Sequence, residues 1–535
     1  MRAFLRTAVF CLGFAGAGEC LAGRALLISS NYTGLASANG SSDEFAVTPD
    51  GRHIVFRSSG RDLEANDTNS NYDLYLLDRM SGTRRCVTGG YQSYRQYRVE
   101  KPTITPDGRW VAFWSDHTNL VSGASNLNVL NLFVYDAANR TLSLAHASEP
   151  DHPQAPGIPA LSADGRYLSF ETFTPRLLIH RRDLTRGETE TVSVDTNGVA
   201  APVNLLVWRV TPDARYFAFA TSETNIVSGM EKTNSMTQVY LRDMETRQTK
   251  LVSLTAGGGF CEAHAFVRAL SRDGRYVAFK TASTNVVTGV QDGPGDDLFV
   301  RDMVSNTTWC VTMHTNGTTT AGGGQVVREA SFSADAAKII FLSAGLNLAP
   351  NLTAGNPHAA YTHDMIARTN WGVGLAGLAQ GSGDGILELS DDGRFAIFLH
   401  QADLLACDTQ TGRVRKVGRA PFIPLRIATR LSADGRAVFF VSGANEASGT
   451  EDGNGSSDVF VSPTMPLEVL GVSLTDPAAR VQAAGLPGAA VRLQSSTNFD
   501  AWDDVGNGLL GLDGTAVIED ARQQTGRRFY RLISP

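Results

Sequence analysis

The sequence predicts an all-β protein: an eight-bladed β-propeller closed by an N-terminal strand, followed by a small β-sandwich. Three observations carry this reading. A strand–turn–strand unit with Asp at its turn recurs eight times. Two further strand-like runs follow each unit, and 53 glycines with many Asn, Ser and Thr favour turns over long helices. Four antiparallel strands make one blade, and a blade buries both faces only between neighbours in a ring.

The first residues read as a targeting signal. Arg2 and Arg6 precede an apolar run from Ala8 to Ala17, then small residues at Ala22 and Gly23. Residues 1–23 fit a secretory signal and are too short to span a bilayer. Glu19 stands where a lipoprotein signal wants a small residue, which weighs against a lipid anchor on Cys20. No later stretch approaches ~20 continuous apolar residues. The expectation is an exported monomer with no transmembrane segment, periplasmic, extracellular or on the cell surface. A formal charge of −7, or −8 without residues 1–23, leaves no basic footprint for nucleic acid.

The turn anchors are Asp50, Asp107, Asp164, Asp213, Asp273, Asp335, Asp392 and Asp434, spaced about 55 residues apart. Ser or Thr lies two residues before every anchor and Phe six residues after it, from Thr48 and Phe56 to Ser432 and Phe440. This is turn chemistry. Ser/Thr and Asp bond backbone amides across the bend, and Gly supplies the positive φ of a short hairpin. Ala214 and Ala336 replace that Gly in two copies, so those turns are expected to be strained or differently shaped. The third strand ends in Asp in seven copies, as in LYLLD to Asp78 and LFVRD to Asp302, and a short CVT, TVS or LVS strand follows. The eighth copy stops early, at Asp458-Val-Phe-Val461. Ala25 to Ser29, followed by NYTG, matches the outer strands followed by DTNG and HTNG, and so reads as the missing strand that closes the ring.

The Ser/Thr-x-Asp-Gly-Arg hairpin with LFVRD-like strands resembles the TolB-type, WD-like propeller repeat with its Pro-Asp signature, over residues 24–465. Only Pro49, Pro106 and Pro212 supply the Pro, and TolB's separate α/β domain has no counterpart. The resemblance implies a fold and not TolB's partners. Residues 466–535 carry VRLQSST, WDDVG, TAVIED and RFYRLI between Gly- and Asp-rich turns. They resemble small C-terminal modules ending in RFYRL on bacterial secreted proteins.

Strand order places the first and third connections on one face of the ring, and the second connections and blade crossings on the other. The variable lengths all fall on that second face, where binding residues usually sit. The candidate ligand-binding residues are Tyr91, Tyr94, Arg95, Tyr97 and Arg98, with His152 and His264 on crossings of the same kind. Asp67, Asn69, Asn71 and Asp73 form an oxygen-rich loop, a candidate site for calcium, the one cofactor considered; Asx-turns explain the same residues. Cys86, Cys261, Cys310 and Cys407 lack CxxC spacing and read as buried small side chains, with a Cys261–Cys310 bridge as the alternative. Neither GxSxG nor HExxH occurs. The functional expectation is a non-catalytic propeller that binds an envelope protein or a polysaccharide. The alternative is a secreted carbohydrate-active enzyme such as a polysaccharide lyase.

Overall fold

The computed structural model describes residues 25–533 apart from 90–96, 122–128, 149–156, 204–207, 291–294, 321–329, 352–358, 374–387, 420–428, 444–454, 486–489, 522–527 and gaps of one to three residues. Residues 1–23, read above as a targeting signal, and Tyr91, Tyr94, Arg95 and His152 therefore lie outside the described residues. Every helix-free blade is a four-stranded antiparallel sheet, and eight such sheets are described: 42–86, 99–146, 160–191, 209–251, 265–310, 330–373, 388–419 and 429–463 with Leu26–Leu27. They are called blades 1 to 8 below. In blades 1 to 7 the chain runs strand by strand from the ring axis outward; blade 8 does so for three strands and takes Leu26–Leu27 as its outer strand. Together they form a β-propeller.

The repeated hairpin folds as its residues dictate. In blade 2, Thr105 Oγ1 donates to Asp107 Oδ1 at 2.5 Å, and the same oxygen of Asp107 accepts the Arg109 amide at 3.0 Å. Thr105 Oγ1 in turn accepts the Trp110 amide at 2.9 Å. The same three bonds recur in the other seven copies, Ala214 and Ala336 included. Ala214 and Ala336 sit at φ 55° and 54°, so those turns keep their shape and carry the strain of an L side chain in the left-handed region.

The Phe six residues after each anchor is buried in every blade. In six blades it stacks on an aromatic ring directly across on the third strand, as Phe113 on Phe133 at 5.9 Å and Phe341 on Tyr361 at 5.4 Å. Each of the apolar clusters of the ring spans neighbouring sheets. The seam between blades 8 and 1, for example, joins Phe439 and Val441 to Phe45 and Phe56. The turn glycines serve this packing too. A Cβ on Gly165 would stand 2.1 Å from Trp110 of the preceding blade, and one on Gly274 2.3 Å from Tyr216.

Ring closure follows the expected route. Leu26–Leu27 pairs antiparallel with the third strand of blade 8, Leu26 opposite Val461 and Leu27 opposite Phe460. Ser29 Oγ donates to Asp458 at 2.6 Å and accepts the Val459 amide at 3.1 Å. Two three-stranded sheets follow, built from strands between Glu468 and Ile533. Val481, Ala483, Val491, Leu493 and Ile518 pack between them as a small sandwich. All four described cysteines are free thiols; Cys261 and Cys310 share one core cluster without a bridge, and burial pushes the Cys261 thiol up to about 11.

Candidate functional site

The two faces of the ring differ in how they are built. On the first, each Asp-anchored turn has five residues between its strands and each third connection four or five. Arg109, two residues after its anchor, reaches across to the Asp that ends the third strand: Nε to Asp136 Oδ1 is 3.2 Å and Nη2 to Oδ2 is 3.0 Å. Six blades share this fork, the others being Arg52–Asp78, Arg166–Asp183, Arg215–Asp243, Arg275–Asp302 and Arg394–Asp408. Blade 6 has Ala337 at the Arg position and blade 8 has Pro463 at the Asp position. Arg109 holds the Asp136 carboxyl down to about 2, helped by the amides of Asn139 and Ala138. The pair favours the ionised carboxylate, so its contribution is complete above the ordinary value near 3.8 and is lost as pH falls through about 2. The residues just before the anchors join neighbouring turns around the axis. The amides of Ala163, Ala334, Asp391 and Ala433 donate to the carbonyls of Pro212, Asp391, Ala433 and Pro49 at 2.7–2.9 Å. Pro at three of these positions has no N–H to give.

The opposite face carries connections of widely different length, from 401–402 in blade 7 to 222–237 in blade 4. These are braced at their bases. After Asp62, Asn119, Asn225, Asn285 and Asn347 comes an apolar residue that is buried: Leu63, Leu120, Ile226, Val286 and Leu348. The crossing from the preceding blade then docks on the loop. Tyr32, Thr196, Ala256 and Thr315 donate their amides to the carbonyls of Asp62, Asn225, Asn285 and Asn347 at 2.7–2.9 Å. In the sequence this bracing shows as the repeated Thr-Asn-apolar triplets Thr118–Leu120, Thr224–Ile226 and Thr284–Val286, a signal apart from the Asp-anchored turns.

Of the candidate ligand-binding residues, three are described. Tyr97 is buried at 9% exposure and stacks on His117 with ring centres 4.1 Å apart. Arg98 is half-exposed and pairs with Asp116 at 3.0 Å. His264 is exposed; its Nδ1 accepts the Thr237 amide at 3.0 Å and its ring stacks on Phe266. The oxygen-rich loop is buried and internally bonded. Asp67 accepts from the Asn69 amide and the Tyr75 hydroxyl, and Asp73 from the Asn69 side chain at 2.9 Å and from Thr88. Asn69 Oδ1 accepts the Asn71 amide at 2.6 Å. Burial raises both carboxyls, against those bonds. Among the described residues no group of three or more His, Cys, Asp or Glu is placed to hold a metal ion.

One titratable group stands apart. Glu171, 2% exposed, accepts the indole N–H of Trp208 from the next blade on Oε1, while Oε2 has no hydrogen-bond partner among the described residues. Burial pushes its carboxyl up to about 7, opposed by Trp208 and the charge of Lys101. Gly157 backs it: a Cβ there would lie 2.6 Å from Oε2.

No family model matches the chain, and no curated protein matches it. Among solved structures, the chain is similar to a prolyl endopeptidase (14% identity, 76% of this chain and 55% of that one, TM-score 0.45). It is also similar to a TolB from Agrobacterium tumefaciens (14%, 62% and 96%, TM-score 0.32). A third is dipeptidyl peptidase 4 of Porphyromonas gingivalis (12%, 85% and 66%, TM-score 0.45). The chain spans little more than half the length of the endopeptidase. At these values the likenesses add nothing to the architecture already read from the strand pairing. Among the described residues no helix is long and apolar enough to cross a membrane.

Proposed function

We propose that the chain is an exported, non-catalytic propeller that binds an envelope protein or polysaccharide through the face of long connections. One observation carries the reading: the asymmetry of the faces. The short-turn face repeats the same five-residue turn in all eight blades and the same Arg–Asp fork in six, and so varies little from blade to blade. The other face sets loops of unlike length and composition on buried, hydrogen-bonded bases, the arrangement in which a rigid scaffold presents a recognition surface.

The test is a capture experiment with residues 24–535 against an envelope extract and a polysaccharide panel, with sugar products assayed in the same tubes. Tyr94→Ala/Arg95→Ala is run beside Ile366→Ser, which alters an exposed side chain on the short-turn face. The expected result is a retained partner whose capture drops at least tenfold in the first variant and is unchanged in the second. Turnover of a polysaccharide, or capture that responds only to Ile366→Ser, overturns the proposal.

A further inference from the structure

Three seams between blades begin alike and can be compared position by position. Tyr167, Tyr216 and Tyr276 stand three residues after the anchors of blades 3, 4 and 5, each opposite the Asp that ends the third strand. At the seam between blades 3 and 4, Arg181 lies over the Tyr167 ring at 4.4 Å and donates to the Ala214 carbonyl of blade 4 at 2.9 Å. It also pairs with Glu190, its neighbour on the fourth strand, at 3.0 Å. At the seam between blades 5 and 6, the buried Trp309 meets Tyr276 nearly at right angles, ring centres 6.1 Å apart. Its indole N–H donates to His363 of blade 6 at 3.2 Å. Each of these two seams is filled by one large planar side chain.

The seam between blades 4 and 5 has neither. Leu241 stands in the register of Arg181, and Lys250 in that of Glu190 and Trp309. Leu241 has no polar group to send across the seam, and Lys250 is exposed. A cleft of about 340 Å³ opens there on the short-turn face, within the size range of small-molecule sites. Tyr216, Leu241 and Val304 give it apolar walls, with Val304 71% exposed. Gln248, Lys250 and Asp273 form an exposed rim of one amide, one ammonium and one carboxylate. The other charges of the lining are matched, Asp243 by Arg215 at 2.9 Å and Arg275 by Asp302 at 2.7 Å. With one rim charge of each sign, the cleft suits a neutral body that both donates and accepts hydrogen bonds.

We propose that this cleft binds a neutral pyranose ring, its C–H face against Tyr216 and Leu241 and its hydroxyls on Gln248, Lys250 and Asp273. A pyranose has an apolar face and a rim of hydroxyls that donate and accept, which matches an aromatic wall beneath a mixed polar rim. Asp273 Oδ1 takes the Ser271 hydroxyl at 2.5 Å and the Arg275 amide at 3.0 Å, bonds that Oδ2 does not share. The cleft lies on the face opposite the long connections, and it stands whether or not that surface binds a partner.

The probes are the methyl pyranosides of glucose, galactose and mannose, and sorbitol, which has the hydroxyls and no ring face. Saturation transfer from residues 24–535 to sugar C–H protons at millimolar concentration is expected for at least one pyranoside, and at least tenfold less for sorbitol. The tetrasaccharide of the sugar that binds then separates the sources. Tenfold tighter binding identifies a polysaccharide, and equal binding a free or terminal sugar. Leu241→Arg/Lys250→Glu places the Arg181–Glu190 pair in this seam and is expected to abolish the transfer. Gln248→Ala is expected to reduce it at least threefold, and Thr249→Ala, on the other side of the same strand, to leave it unchanged. If the double variant does not fold, Gln248→Ala and the sorbitol comparison decide. Equal transfer to sorbitol, no transfer to any pyranoside, or transfer that survives in the folded double variant overturns the proposal. Transfer lost only in Tyr94→Ala/Arg95→Ala belongs to the long connections and overturns this site alone.

Discussion

Burial holds the Glu171 carboxyl well above the usual carboxylate range. Its raised carboxyl means that the folded chain prefers the protonated form, so the penalty is absent below the ordinary value of 4.5, grows as pH rises, and is complete above about 7. That difference corresponds to at most ~3 kcal/mol. Glu171→Gln is therefore expected to leave stability unchanged at pH 4 and to raise it by about 2–3 kcal/mol at pH 8, read from urea unfolding at the two pH values. An equal effect at both would mean that the carboxyl is not raised. Nothing in the sequence marks Glu171, because its environment comes from Trp208 in another blade and from Gly157, and neither contact repeats. Tyr97 gives the complementary lesson. Its spacing with other aromatics pointed to a surface, and the ring lies instead against His117, since aromatic content alone carries no information about facing.

At the scale of the element, the hairpin was legible almost atom by atom: Ser/Thr, Asp and Gly at fixed offsets determine a turn with local chemistry only. The Arg–Asp fork was half legible. Both residues were visible, but their meeting depends on register, which sets Trp110 opposite Asp136 and so brings Arg109 beside it. The role of the turn Gly was less legible still, because the ring it accommodates belongs to the preceding blade. Two substitutions separate its duties. Gly82, at φ 69°, has nothing within 4 Å of a Cβ, while Gly165, at φ 71°, faces Trp110. Gly82→Ala is expected to cost about 1 kcal/mol, the backbone share alone. Gly165→Ala is expected to cost about 3 kcal/mol, with overpacking added. Chemical denaturation of the two variants measures the difference, and equal costs would remove Trp110 from the account.

For the whole molecule, closure is the decisive feature. Deleting residues 24–30 strips blade 8 of its outer strand and the Ser29–Asp458 bond, and leaves the seam at Phe439 and Phe45 without Ile28. The expected outcome is a fall of at least 5 °C in melting temperature with a broader transition, measured by calorimetry; an unchanged melt would show that the ring does not need its clasp. The blade count and the closing strand were legible because repetition turns eight weak signals into one strong one.

The clasp also sets an order of events in time. Leu26 leaves the ribosome more than four hundred residues before its partner Val461, an interval of roughly 20–90 s at ordinary rates of synthesis. Through that interval the early blades can pack on one another, but the circle stays open and the first strand has no edge to join. Its last blade is completed by its first strand, so the ring can close only after residue 461 has been made.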